Sequence, residues 1–437
     1  MDAVRTLQER LQNNLKERQG GIYSVCSSKE EIVRSALHFA RAKHYPLVIE
    51  STSNQVDQFG GYTGMTPQDF AHYVYQLADS CAFPKENLIL GGDHLGPNAW
   101  QNEAPEPAMN KAVELVQAYI RASYRKIHLD TSMPCKGDPL PLTDEIVARR
   151  AAKLAQAAEA AWREGGCSGP APVYIIGTEV PTPGGSAAEE EFLKPTFPDA
   201  ARKTHQIHQA AFAKAGLESV WEERVIAMVV QPGVEFGDAE VIYFEAEKSR
   251  ELSRLAPELG IVFEAHSTDY QRPQGLRELV ENHFAILKVG PWLSYAYREA
   301  LFALSYIAEE LRRYGLSQKR GELPFRQRVH NYLAEHPQHW QKYYRGTPEQ
   351  ISYKMLYSLS DRIRYYWPQK EMQNLIAELM ASFGGEPLPY SLVSQYFPQA
   401  VQALEPRHWQ APQLIEQHIQ SVLAQYDAAV ACAEPRR

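Results

Sequence analysis

From Gly21 to Gly290 one unit recurs: a short β-branched or apolar run, a loop carrying polar residues, then a segment of helical periodicity. The apolar runs fall at residues 22–26, 47–50, 88–90, 126–130, 173–177, 225–230, 261–265 and 285–289. Helical periodicity occupies residues 29–43, 106–122, 143–164 and 199–215, and Thr66-Pro67 opens another helix as N-cap and first helical position. Strands this short and this continuously apolar are expected when both faces of a sheet are covered. Eight such units predict an α/β chain folded as a (β/α)8 TIM barrel. An open doubly wound sheet shares the alternation, but no GxGxxG follows the first run.

Past residue 293 the pattern turns helical, at residues 294–314, 324–335, 350–366, 371–383 and 412–431. The expected organisation is therefore a barrel over residues 1–293, including an N-terminal helix with Val4, Leu7, Leu11 and Leu15 on one face, and a helical extension over 294–437 packed on it. No Gly/Ser linker separates the two.

A formal charge of −8 and the lack of a basic run argue against a nucleic-acid partner. No run approaches the roughly 20 apolar residues of a membrane span, and the first residues lack the apolar core of a signal peptide. Five cysteines are scattered without a CxxC, as reduced thiols would be. A cytoplasmic protein is expected.

In a barrel, chemistry collects on the loops after the strands. The run ends hold Ser24 or Cys26, Glu50, Asp93 with His94, Asp130, Glu179, Gln231, His266 and Lys288. Any one of these could be an ordinary loop residue; together they point to an active site at the carboxyl rim. His94 and His266 are the best metal ligands. Asp130, Glu179 and Gln231 on neighbouring strands can complete a mixed nitrogen and oxygen site for a divalent ion such as Zn, Mn, Ni or Co. Gln231 has an alternative use, as a buried side chain bonded to its own loop. His128 faces the same way as Asp130, as a support for a ligand or as plain core. His205 and His208, three apart on one helix, are expected at the surface. The arginines of Ser360-Asp361-Arg362-Ile363-Arg364 can fork onto a carboxylate or a phosphate. No P-loop and no GxSxG is present.

Residues 49–55, 58–66, 91–98, 176–185, 230–236, 263–270, 286–291 and 358–368 resemble one family. It is the larger subunit of tagatose-bisphosphate aldolase from galactitol and N-acetylgalactosamine catabolism, described as non-catalytic or as a tagatose-6-phosphate kinase. The resemblance covers nearly the whole chain. It implies enzymes that epimerise carbon 4 of ketohexoses or their 6-phosphates. More remotely the chain is similar to metal-dependent class II aldolases, whose Asp-His pair supplies an acid/base and a metal ligand. That likeness implies Asp93 as proton shuttle and His94 as ligand. It aligns His266-Ser267-Thr268 with a glycine-rich metal turn, and Gln231-Pro232-Gly233 with a second histidine turn. The glycines of a phosphate nest are missing here, and Asp269 adds negative charge.

The C4 hydrogen of a 2-ketose lies β to the carbonyl and is not acidic. Removing the C4 hydroxyl proton and breaking C3–C4 is the cheaper route, with a divalent ion stabilising the enediolate. Asp93 and Glu179 are the expected acid/base pair, with Asp130 in reserve. Asn54, Tyr62, Ser267, Asp269, Lys288 and Arg362 are expected to hold substrate. The expected function is a metal-dependent 4-epimerase interconverting D-tagatose and D-fructose or their 6-phosphates. An accessory subunit stabilising a class II tagatose-bisphosphate aldolase is the alternative, and an aldolase releasing triose a third reading. A partner aldolase or a second copy of the chain is the expected protein partner.

Overall fold

The computed structural model describes residues 2–43, 45–177, 193–316 and 324–431. Eight parallel strands close into a barrel in which every strand lies beside its neighbours in sequence and the last pairs with the first. They are β1 (Ile22–Cys26), β2 (Leu47–Thr52), β3 (Leu88–Leu95), β4 (Lys126–Leu129), β5 (Val173–Gly177), β6 (Val225–Val229), β7 (Val262–Ala265) and β8 (Phe284–Val289). The TIM barrel expected from the alternation is the fold. Each strand starts within one residue of its sequence-based start. β3 runs five residues further than its apolar run, through Asp93 and His94.

Alternation along the strands divides the interior into two layers. Near the strand starts, Ile22, Val48, Ile89, Val173, Val262 and Ile286 form an apolar cluster. The N-terminal helix Ala3–Glu17 closes that end with Val4, Leu7 and Leu11, one face of a helix spaced by three and four. Above this layer the inward positions change character: Glu50, Lys126, His128 and Glu264 are fully buried. The apolar plug keeps water from reaching these groups from below.

The helical residues beyond β8 share one hydrophobic cluster with the barrel. Helix Pro291–Arg313 begins directly after Gly290, three residues before the expected boundary, because Pro291 suits a first helical turn. The last helix, Ala411–Val430, packs between helices Glu30–Ala40 and Pro273–Glu281 and so fills the eighth place in the outer ring. Lys43 pairs with Asp427 at 2.6 Å, and Arg10 Nη2 donates to the Val430 carbonyl at 2.7 Å. Among the described residues, no helix is long and apolar enough to cross a membrane.

The helix expected at 350–366 is interrupted. Helix Pro348–Tyr357 stops at Ser358, and a short turn Arg362–Tyr365 follows. Hydroxyls of Ser358 and Ser360 bond each other at 2.8 Å, Ser358 bonds Asp238 at 3.0 Å, and Asp361 adopts φ 44°. Serine and aspartate offer the backbone partners other than the next helical turn. The break turns Arg362 and Arg364 toward the barrel mouth.

Candidate active site at the carboxyl rim

Consecutive strand residues normally point to opposite faces. Asp93 and His94 escape this by a bulge: the register between β3 and β4 shifts between Gly92 and Leu95, and His94 adopts φ 52°. Its amide donates to His128 Nδ1 at 3.2 Å, and the Ser53 hydroxyl donates to its carbonyl at 2.9 Å. Acid and imidazole therefore both reach the site. Two residues earlier Gly91 leaves room for Glu50, since a Cβ there would lie 2.6 Å from Glu50 Cγ.

A continuous charge lattice crosses the barrel. Lys126 Nζ lies 2.6 Å from both Glu50 Oε1 and Glu264 Oε2. Lys288 pairs with Asp93 at 2.9 Å, closely with Glu50, and with Glu264 at 3.9 Å. His128 Nδ1 lies 2.9 Å from Asp93 Oδ1, and His94 Nδ1 lies 2.9 Å from Asp130 Oδ2. Burial works against every one of these charges. For Asp93 it is outweighed by His94 and Lys288, which hold the carboxyl well below its ordinary range. For Glu264 it is outweighed by Lys126 and Lys288, with the same result. The surrounding carboxylates in turn hold Lys126 and Lys288 above the ordinary lysine value. Burial pushes the His266 imidazole down to about 4, so it is neutral at pH 7.

Four carboxylates, Glu50, Asp93, Asp130 and Glu264, face two ammonium groups in this lattice. Burial opposes charge on the His94 imidazole but is outweighed by Asp93 and Asp130, which hold it above its ordinary value, and the acids still outnumber the ammonium groups. The donor set suits a divalent ion. Ligand atoms of Asp93, His128, Glu264 and His266 lie within 4.8 Å of one another. His128 Nε2 is buried without a hydrogen-bond partner. The His94 ring centre is 5.1 Å from those of both His128 and His266. Asp130 on His94 Nδ1 is the carboxylate–imidazole arrangement that orients metal-binding histidines.

The cluster forms the floor of a cavity of about 610 Å³, within the usual range for small-molecule sites. Asn54, Tyr62, Ser267, Asp269, Lys288 and Arg362 all line it, together with Asp93, His94 and His266. Two expectations change. Gln231 does not line the cavity and spends its side-chain oxygen on its own loop, accepting from the Gly233 and Val234 amides at 2.8 and 3.0 Å, because the chain turns back immediately after β6. His205 and His208 are buried, not at the surface; His205 packs edge-on to Trp221 at 5.0 Å. Glu179 lies outside the described residues. Glu264 and Lys126 are not among the site residues expected from the sequence, whereas Arg364 is one of the two arginines expected to fork onto a carboxylate or a phosphate, and His128 is expected as a support for a ligand or as plain core. The available signal was the spacing by two in Lys126, His128, Asp130 and in Glu264, His266, inside strands otherwise apolar.

One buried acid lies just beside this cavity. Glu235 takes a hydrogen bond from the Phe236 amide at 2.9 Å, while its Oε2 has no partner. Burial pushes its pKa up to about 7. The folded state therefore holds a proton that an unfolded glutamate releases near pH 4.5, so this residue's contribution to stability is present below that pH and lost as pH rises through 7. Glu235→Gln is expected to stabilise the fold at pH 8 by about 2–3 kcal/mol and to change nothing at pH 4. Urea midpoints at the two pH values check this; equal shifts at both would contradict it.

The chain matches the family described as D-tagatose-1,6-bisphosphate aldolase subunit GatZ/KbaZ-like over residues 7–431. A crystal structure of a probable tagatose 6 phosphate kinase from Sinorhizobium meliloti 1021 is 42% identical. The match spans 94% of this chain and 100% of that one, with a TM-score of 0.84. A fructuronate-tagaturonate epimerase from Cohnella laeviribosi is 12% identical over 94% of this chain and 81% of that one, with a TM-score of 0.48. A fructose-bisphosphate aldolase from Campylobacter jejuni is 13% identical over 84% of this chain and 94% of that one, with a TM-score of 0.46. The last two are too remote to bear on the site.

Proposed function

The chain belongs to the D-tagatose-1,6-bisphosphate aldolase subunit GatZ/KbaZ-like family, and from that premise and the geometry of the rim we propose that it is a cytoplasmic, metal-dependent 4-epimerase. It interconverts D-tagatose and D-fructose or their 6-phosphates by retro-aldol cleavage and re-addition. The observation that carries this reading is the buried Asp93 carboxylate at the cavity floor, set between Lys288 and a group of three imidazoles.

Asp93 takes the proton of the C4 hydroxyl. The C3–C4 bond breaks, its electron pair passing into the C2 carbonyl to give an enediolate, while C4 becomes an aldehyde. The aldehyde fragment turns, the enediolate carbon attacks its other face, and Asp93 returns the proton to the new C4 oxygen. No atom is gained or lost. Asp93 suits the work because it is ionised at neutral pH and lies 2.9 Å from Lys288, which orients it and balances its charge. A divalent ion held by His128, His266 and Glu264, with His94 beside them, would supply Lewis-acid polarisation of the substrate carbonyl. Asn54, Tyr62, Ser267 and Asp269, which line the cavity, offer hydrogen bonds to the sugar hydroxyls. Glu179 is proposed as a second acid/base group on the basis of its strand-end place in the sequence.

The family description also names an aldolase subunit, which favours a second reading as a partner that stabilises a separate class II aldolase. Assay of the purified chain alone decides between them, with fructose, tagatose and both 6-phosphates, after loading with Mn, Zn, Ni or Co. Epimer formed without a partner supports the enzyme. Silence with every ion, together with stabilisation of an added aldolase, supports the accessory role. Release of triose without epimer would instead make the chain an aldolase.

A further inference from the structure

We propose that Arg362 and Arg364 form a receptor for a single phosphate ester at the end of the sugar remote from the bond that breaks. The inference rests on the ketohexose reading above for the sugar it names. Both residues line the cavity, and both come from the helical extension, not from a barrel loop. Arg362 is buried, donates through Nε to the His339 carbonyl, and lies 3.3 Å from the Tyr343 ring centre. Its two Nη groups have no acceptor among the described residues. Arg364 is held by the carbonyls of Ser360 and Asp361 and donates through Nη2 to the Tyr365 hydroxyl at 3.1 Å.

Neither guanidinium makes an ion pair with a described carboxylate, whereas Lys288 and Lys29, the other cations lining the cavity, are paired. A guanidinium taken out of water without a counter-charge is costly unless a ligand supplies one. Asp361, an acid beside Arg364, is already committed to Arg298 at 3.0 Å and to the Ser294 hydroxyl at 2.7 Å. Two planar forks side by side match the charge and the acceptors of a phosphate dianion better than those of a carboxylate. Asp269, within electrostatic reach of Arg364, takes the Gly290 and Trp292 amides at 3.0 and 2.8 Å, and Asp93 lines the cavity beside Lys288, so a second phosphate finds no comparable partner. The site is built for a monoester.

Calorimetry on the full chain tests this, with inorganic phosphate, D-fructose, its 6-phosphate, its 1,6-bisphosphate and the corresponding keto-uronate as probes. Arg364→Met and Arg362→Met are each expected to weaken phosphate and 6-phosphate binding by about 10- to 100-fold. Fructose binding should change less than about threefold, and Arg364→Lys should fall between, a check against general misfolding. The bisphosphate should bind no tighter than the 6-phosphate. Equal loss for fructose and its 6-phosphate overturns the proposal, as does wild-type protein that fails to distinguish them. Tighter binding of the keto-uronate overturns the phosphate assignment. Inorganic phosphate cannot turn over, so a chain that binds it through these arginines yet forms no epimer removes the epimerase reading alone.

Discussion

Asp93→Asn lowers turnover of the ketohexose by about 10²- to 10⁴-fold, the usual contribution of a positioned acid/base group. The amide keeps the shape of the carboxylate but accepts no proton at neutral pH. Folding should survive, because Lys288 keeps Glu50 and Glu264 as partners. The loss is expected in kcat far more than in KM, since the group acts on a proton in flight and not on the bound sugar. Initial rates with metal-loaded protein check it, and a variant within tenfold of wild type would remove Asp93 from the chemistry.

Lys126→Met destabilises the fold by about 3–5 kcal/mol, the range seen when one partner of a buried ion pair is removed. Lys126, Glu50 and Glu264 are all fully buried, and the ammonium joins the two carboxylates across the barrel. Without it the acids repel in a setting where neither can reach water. Adding Glu50→Gln should return part of the loss, because the two positions share one interaction. A surface pair such as Arg5 with Glu9 is expected to contribute under about 1 kcal/mol. Denaturant midpoints compare the variants; a Lys126→Met protein within 1 kcal/mol of wild type would mean the lattice is not a stability element.

The barrel was readable because each strand is covered on both faces and announces itself as a short apolar run between helices. The rim was readable for a related reason: Asp93, His94, Asp130, His266 and Lys288 stand where those runs end. The lattice beneath was not. Lys126 and Glu264 are charges inside buried strands, and no local rule says what neutralises them. Their partners come from β2, β4, β7 and β8, which only closure of the sheet brings together. Gln231 sits at a strand end like the others, but its loop doubles back and uses the side chain for its own amides. The helix expected at 350–366 failed on the hydrogen-bonding serines before Asp361, and that break is what carries Arg364 to the cavity.

The most direct test is isotopic. Metal-loaded protein is incubated with D-fructose or its 6-phosphate in D₂O, and the tagatose product is examined by proton NMR. Cleavage and re-formation of C3–C4 keeps the original hydrogen on C4 throughout, as the aldehyde hydrogen of the departing fragment, so the account predicts epimer with protium at C4. Deuterium at C4, or no epimer with any of the four ions, would contradict it.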